Sequence, residues 1–267
     1  MKVIVSHDVD HLNVNEHWRD LFFLKMWVRS FIELLRGQIR FIVFWHRLTS
    51  IFDKRIHRIP ELCDFDQQNG VQATYFFGMS HALGMVYKKS KALPWINYVK
   101  ERGYDAGVHG CDYLHFDAIK REHDDYSRLT GDSSFGIRNH YVRYDDETFC
   151  KMSQAGYLFD TSEFNKVEPT YKKPYKVGKM WEFPLAIMDG YVVHHDLKTA
   201  QERVKHFVDK AIADENDYLT ILFHDAYFNG KCYPVENDFY IWLIGYLQSQ
   251  NLEFISYRDA IKELENG

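Results

Sequence analysis

Lys2-Val3-Ile4-Val5-Ser6-His7-Asp8-Val9-Asp10-His11 runs from an apolar strand straight into two carboxylates flanked by two histidines. Side chains two apart on a strand share a face. Asp8 and Asp10 therefore point the same way at the mouth of a sheet, where they can share a metal ion or divide the work of base and ligand. Short apolar segments of the same kind recur at 73–77, 106–108, 136–139, 158–160, 181–183, 219–223 and 253–256, and the first strand covers 3–5. Such runs suit parallel strands buried on both faces. Helical patterns lie between them at 60–68, 93–102, 117–129, 145–155, 199–214, 239–249 and 257–264. Gly103, Gly131 and Gly156 serve as stop signals, and Thr199 with Glu202 has capping-box spacing. Strands alternating with helices in this rhythm indicate βα units. With seven or eight of them, an α/β chain closed into a (β/α) barrel is expected rather than an open sheet.

Chemistry in such barrels gathers where strands end. His109 ends the segment at 106–108, and Arg138 and His140 end the one at 136–139. Glu182 and Asp189 flank the strand and turn around Trp181, and His224 and Asp225 follow 219–223. Each has an ordinary structural reading. The aspartates could cap a turn, His109 could sit in a tight turn before Gly110, Arg138 could be an ion-pair partner, and His224-Asp225 could be a loop pair. Acids, histidines and an arginine delivered by several strands to one end point instead to a site.

The chain has 267 residues, of which 46% are hydrophobic and 16% aromatic, enough for a sizeable core. It is read as a single domain over 1–267 with a helical insertion at about 15–58. A net charge of −5 argues against a nucleic-acid partner. Cys63, Cys111, Cys150 and Cys232 are scattered, with no C-x-x-C pair, as expected of free thiols in a reducing compartment. No basic segment followed by an apolar core precedes the first strand, so a cytoplasmic location is expected. Residues 21–52 are rich in bulky apolar groups punctuated by Lys25, Arg29, Arg36, Arg40 and Arg47, with Gly37 separating two helices. This pair could pack on the domain or make peripheral contact with a membrane.

The ordered set of motifs resembles the polysaccharide deacetylases, the NodB-like carbohydrate esterases, in a variant associated with surface-polysaccharide synthesis. Ser6-His7-Asp8-Val9-Asp10 resembles the first motif in its D-x-D form, and Ala73-Thr74-Tyr75-Phe76-Phe77 the A-T-F-F strand. Gly107-Val108-His109-Gly110 resembles the metal-histidine motif, Gly136-Ile137-Arg138-Asn139-His140-Tyr141 the arginine motif, and Leu222-Phe223-His224-Asp225 the last motif. The resemblance implies a distorted, usually seven-stranded (β/α) barrel and metal-dependent removal of an N-acetyl group from an amino sugar. The family's second metal histidine lies four residues after the first, which here is Tyr113; His115, six residues on, is the expected ligand, with His140, His11 and Cys111 as alternatives.

The resemblance implies Asp10, His109 and His115 as holders of a divalent ion, most simply zinc. Asp8 would be the general base, kept ionised by Arg138. His224 would be the acid, oriented by Asp225 or Asp189. The backbone N–H of Tyr141 would face the oxyanion, with His140 and Asp189 near the substrate. The expected substrate is an amino sugar on a nucleotide, lipid or polymer carrier, in surface-polysaccharide or glycolipid assembly. Two other readings compete: a carboxylate-only glycosidase built on Asp8, Asp10 or Glu182, and a catalytically inactive carbohydrate-binding pseudoenzyme.

Overall fold

The computed structural model describes residues 1–167, 171–194 and 196–266. Among the described residues, ten strands form one curled sheet. In spatial order these are β6 (Tyr175–Val177), β7 (Met180–Glu182), β5 (Phe159–Asp160), β4 (Ile137–Asn139), β3 (Asp105–Gly110), β2 (Ala73–Gly78), β1 (Lys2–Val9), β9 (Tyr218–Leu222) and β8 (Ile187–Met188). The tenth strand, β10 (Glu253–Phe254), pairs with β1 at Lys2 and Val3, below the stretch from Val5 that pairs with β2. Among these strands all pairings are parallel except β6–β7.

The architecture is a distorted (β/α) barrel, with ten strands in place of seven. Three local features account for the difference. Pro184 offers no N–H to a ladder, and it lies between β7, which pairs with β5, and β8, which pairs with β9. The segment 180–188 thus acts as one broken stave joining the two ends of the curl. β6 is a hairpin return on β7, and β10 is a two-residue addition to β1.

The helices are α1 (Phe22–Leu35), α2 (Phe41–Thr49), α3 (Ile59–Gln68), α4 (Lys89–Glu101), α5 (Phe116–Thr130), α6 (Thr148–Ala155), α7 (Asp189–Val192), α8 (Leu197–Ala213), α9 (Pro234–Ser249) and α10 (Tyr257–Asn266). α1 and α2 stand between β1 and β2, and Gly37 turns between them at φ +68°. The start of α8 differs from the capping-box expectation. Asp196, not Thr199, is the cap, accepting from the Lys198 N–H and from the Thr199 hydroxyl.

Residue parity along β1 separates two regions. Val3, Val5 and Val9 join the large cluster beneath the helices. Ile4 joins a second cluster with Phe76, Phe159, Phe183, Tyr218 and Tyr257, which plugs the barrel; Tyr257 of α10 stacks on Phe159 at 4.4 Å. Ser6, Asp8 and Asp10 follow Ile4 on that inner face, so the apolar plug gives way upward to a polar layer at the strand ends.

Candidate metal centre and active site

Arg138 is the hub of the polar layer. It is fully buried, and its Nη1 donates to Asp8 Oδ1 at 2.9 Å. Nη2 donates to Ser6 Oγ at 2.6 Å, Nε donates to the Thr161 carbonyl at 3.2 Å, and the guanidinium lies 4.7 Å from the Phe76 ring centre. A buried ion pair is sustained only when its remaining donors are satisfied in this way. Asp8 is thus held by one oxygen, while Oδ2 lies 3.8 Å from His109 Nε2.

Asp10, His109 and His140 form a three-donor cluster. His109 Nε2 is 3.0 Å from His140 Nδ1, and Asp10 Oδ1 is 3.2 Å from each of those nitrogens. Which nitrogens carry protons follows from their other partners. His109 Nδ1 faces the Arg138 carbonyl at 2.9 Å, and His140 Nε2 faces the Leu83 carbonyl at 2.9 Å. A carbonyl only accepts, so both of these nitrogens donate. In the neutral rings, His109 Nε2 and His140 Nδ1 therefore present bare lone pairs to one another and to a carboxylate. Asp10 Oδ1, although buried, has no hydrogen bond of acceptable geometry.

Three lone-pair donors facing one another repel unless a cation lies among them. Burial works against the Asp10 carboxylate, yet the facing imidazoles hold its pKa well below the ordinary value of 3.8. Burial likewise opposes a charged His109, but the carboxylates of Asp8 and Asp10 raise its pKa overall. The cluster draws in a positive charge, either a proton or a metal ion. Separations near 3 Å are those of donors around a single ion at about 2.0–2.2 Å, and backbone carbonyls on the far ring nitrogens are the usual orienting partners of ligating histidines. An N₂O set with open positions suits zinc, and nickel, cobalt or manganese fit as well.

Opposite the cluster, His224 Nδ1 donates to Asp189 Oδ1 at 2.8 Å, and its backbone N–H donates to Asp189 Oδ2 at 2.6 Å. Its Nε2 points inward, 3.9 Å from Asp10 Oδ2. Burial disfavours the imidazolium, but the carboxylates of Asp189, Asp10 and Asp8 outweigh it and push the His224 pKa up to about 10. Tyr141 lies in the left-handed region at φ +62°, and its ring packs 4.1 Å from that of His140.

Three expected roles change. His115 lies outside the cluster: it caps α5, its side chain is 73% exposed, and it faces Asp112 at 3.0 Å. Asp112 accepts the N–H groups of Leu114 and His115, which closes the turn away from the barrel mouth. His140, expected beside the substrate, stands in the third donor position. Asp225 is not hydrogen-bonded to the His224 ring; it accepts the Arg58 N–H at 2.9 Å, and burial pushes its pKa up to about 7. Cys111 turns to the Ser80 carbonyl at 3.3 Å. Glu182 is fully buried beside Asp160 in the barrel wall and accepts the Glu163 N–H, so its position does not serve the glycosidase reading.

Sequence reasoning missed a second histidine relay. His17 Nδ1 faces Asp20 at 2.6 Å, and its Nε2 lies 3.2 Å from His11 Nδ1. His7, flanking the same aspartates, is structural, bridging the Phe223 carbonyl and Asp66. Strand parity accounts for this role, since His7 lies on the face of β1 opposite Asp8 and Asp10.

No protein-family model matches the chain, and no curated protein matches its sequence. Among solved structures, a protein from Mycobacterium smegmatis assigned to the polysaccharide deacetylases aligns at TM-score 0.61 and 14% identity, over 98% of this chain and 88% of that one. One from Pseudomonas aeruginosa PAO1, assigned likewise, aligns at TM-score 0.56 and 12% identity, over 96% and 89%. A CE4-family pseudoenzyme from Bacillus anthracis aligns at TM-score 0.51 and 9% identity, over 97% and 64%. At these identities the likeness is one of architecture, and the chain has the polysaccharide deacetylase fold.

Proposed function

We propose that the chain is a metal-dependent hydrolase that removes an N-acyl group from an amino sugar in surface-polysaccharide or glycolipid assembly. The observation that carries this reading is the set of two bare imidazole nitrogens and one unsatisfied carboxylate oxygen at Asp10, His109 and His140, between a held carboxylate and an oriented histidine. These three residues would hold the ion, which when bound would polarise the acyl carbonyl and acidify the attacking water. Asp8 accepts the water's proton at Oδ2, because Arg138 occupies Oδ1. His224, charged under the influence of Asp189, donates its Nε2 proton to the departing amine. The Tyr141 N–H is assigned to the developing oxyanion.

Metal content of the purified chain, read beside acetate release from N-acetylated glucosamine oligomers, tests this. About one zinc or related ion per chain is expected, lost in His109→Ala and His140→Ala and kept in His115→Ala. Asp8→Asn should keep the ion and lose turnover by about 10²–10⁴-fold. A chain that takes up no metal even after reloading would instead be a carbohydrate-binding protein.

A further inference from the structure

We infer that the α1–α2 hairpin is a docking surface for an anionic phospholipid bilayer. The hairpin is inside-out for a helix pair packed on a water-soluble barrel. Besides Phe23 and Val43, the residues it buries are the polar Ser30, Glu33 and Arg47. Arg47 Nη1 donates to Glu33 Oε2 at 2.5 Å, and Arg47 Nε donates to the Cys232 carbonyl at 2.7 Å, so polar groups fasten the hairpin to the loop that follows β9. The apolar side faces outward. Leu24, Val28, Phe31, Ile32 and Leu35 form one stripe at helical spacing along α1, and all are exposed, Leu35 by 71%. Phe41, Ile42 and Trp45 extend it on α2, where Phe44 links the two rows, its ring 6.3 Å from that of Phe31 and 6.2 Å from that of Phe41. Contiguous exposed apolar surface of this kind marks an interaction site.

Charge selects the occupant. The whole chain carries −5, yet the stretch from Trp18 to Arg55 holds eight cations against three acids. Arg19, Lys25, Arg29, Arg36, Arg40 and Lys54 are exposed, whereas Glu33 is buried. An open groove of about 680 Å³ runs over Leu21, Leu24, Val28 and Ile32, edged by Lys25, Arg29 and Arg36. An apolar floor with a cationic rim matches acyl chains below anionic headgroups. Among the described residues no helix is long and apolar enough to cross a membrane, so the contact is interfacial.

The surface adjoins the barrel mouth. Phe22, at the start of α1, packs 4.6 Å from the ring of His11, the residue after Asp10. Docking would hold the mouth beside the headgroups, which among nucleotide, lipid and polymer carriers favours an amino sugar on a lipid; that corollary rests on the hydrolase reading, whereas the docking does not.

The test is co-sedimentation of the full chain with vesicles of phosphatidylcholine, with and without about one-third phosphatidylglycerol. The expected result is at least about tenfold tighter binding to the anionic vesicles, weakening as salt rises. Val28→Asp with Leu35→Asp should abolish it, as should Trp45→Glu, with melting curves unchanged because all three side chains are exposed. Val167→Asp, at an exposed apolar residue outside the hairpin, should leave it intact. Equal binding by the hairpin variants, or none by the unaltered chain, would overturn the proposal. So would a concentration-dependent dimer dissociated by the same substitutions, which would give the face to a second copy. Vesicle binding is read without turnover, so it fails or succeeds separately from the metal and acetate measurements.

Discussion

His224 separates two neighbouring carboxylates that the motif alone leaves equivalent. Asp189 accepts both its ring and backbone N–H groups, whereas Asp225 faces the Arg58 N–H. Asp189→Asn removes the charge that stabilises the imidazolium, so turnover should fall by about 10²–10⁴-fold with metal content unchanged. Asp225→Asn, nearly isosteric, should cost far less. Equal losses in the two variants would show that His224 is not oriented as the structure has it. At this scale the sequence was informative wherever position alone decides. Asp8 and Asp10 share a face by strand parity, and His109, Arg138 and His224 stand at strand ends. It was uninformative where the decision lies in which ring nitrogen is tied off. His140 presents a bare Nδ1 because Leu83, far away in the chain, takes its other nitrogen, and His115 is lost to the site because Asp112 closes its turn.

At the scale of elements, the barrel is narrow enough that two glycines are steric requirements. A Cβ on Gly107 would lie 2.6 Å from the Gly136 carbonyl oxygen and 2.9 Å from the Phe76 ring; one on Gly136 would meet Phe159 at 2.3 Å. The backbone oxygen cannot swing aside, so Gly107→Ala should destabilise by about 1–3 kcal/mol in urea unfolding. Gly245, in the middle of α9 with nothing within 4 Å of its notional Cβ, is the counterpart. Gly245→Ala should stabilise by about 0.5–1 kcal/mol, through helix propensity alone. A destabilisation of the same size at both positions would remove the packing explanation. The eight apolar segments read from sequence all became strands, because burial on both faces leaves a continuous apolar signal. β6, an exposed hairpin return, left none, and β8 ends the apolar run Leu185-Ala186-Ile187-Met188, which is set apart from the segment at 181–183 only once β9 is beside it.

For the whole molecule, stability against acid is a sum of opposing titrations, and one of them can be isolated. Burial pushes the Glu122 and Asp225 pKa values up to about 7, so each adds stability as pH falls from that value. His57 acts in the opposite direction. It is fully buried where the insertion returns toward α3, its ring 4.0 Å from Trp95, and only its Nδ1 is used, accepting the Ile59 N–H at 3.4 Å. Burial, reinforced by the charges of Arg55 and Arg58, pushes its pKa down from 6.5 to about 3. A folded-state pKa below the unfolded one means that the unfolded chain binds the proton first. The stability His57 contributes is therefore complete above about pH 6.5 and is lost progressively as pH falls toward 3, about 2 kcal/mol of it by pH 5. His57→Phe keeps a ring against Trp95 and removes the titration. Its stability at pH 7 should drop for want of the Ile59 acceptor, an offset independent of pH. The informative quantity is the slope: between about pH 7 and 5 the variant should lose about 2 kcal/mol less than the unaltered chain in urea unfolding. Parallel curves would mean that the His57 ring is protonated or hydrated in the fold, and that the junction between insertion and barrel is wetter than its burial implies.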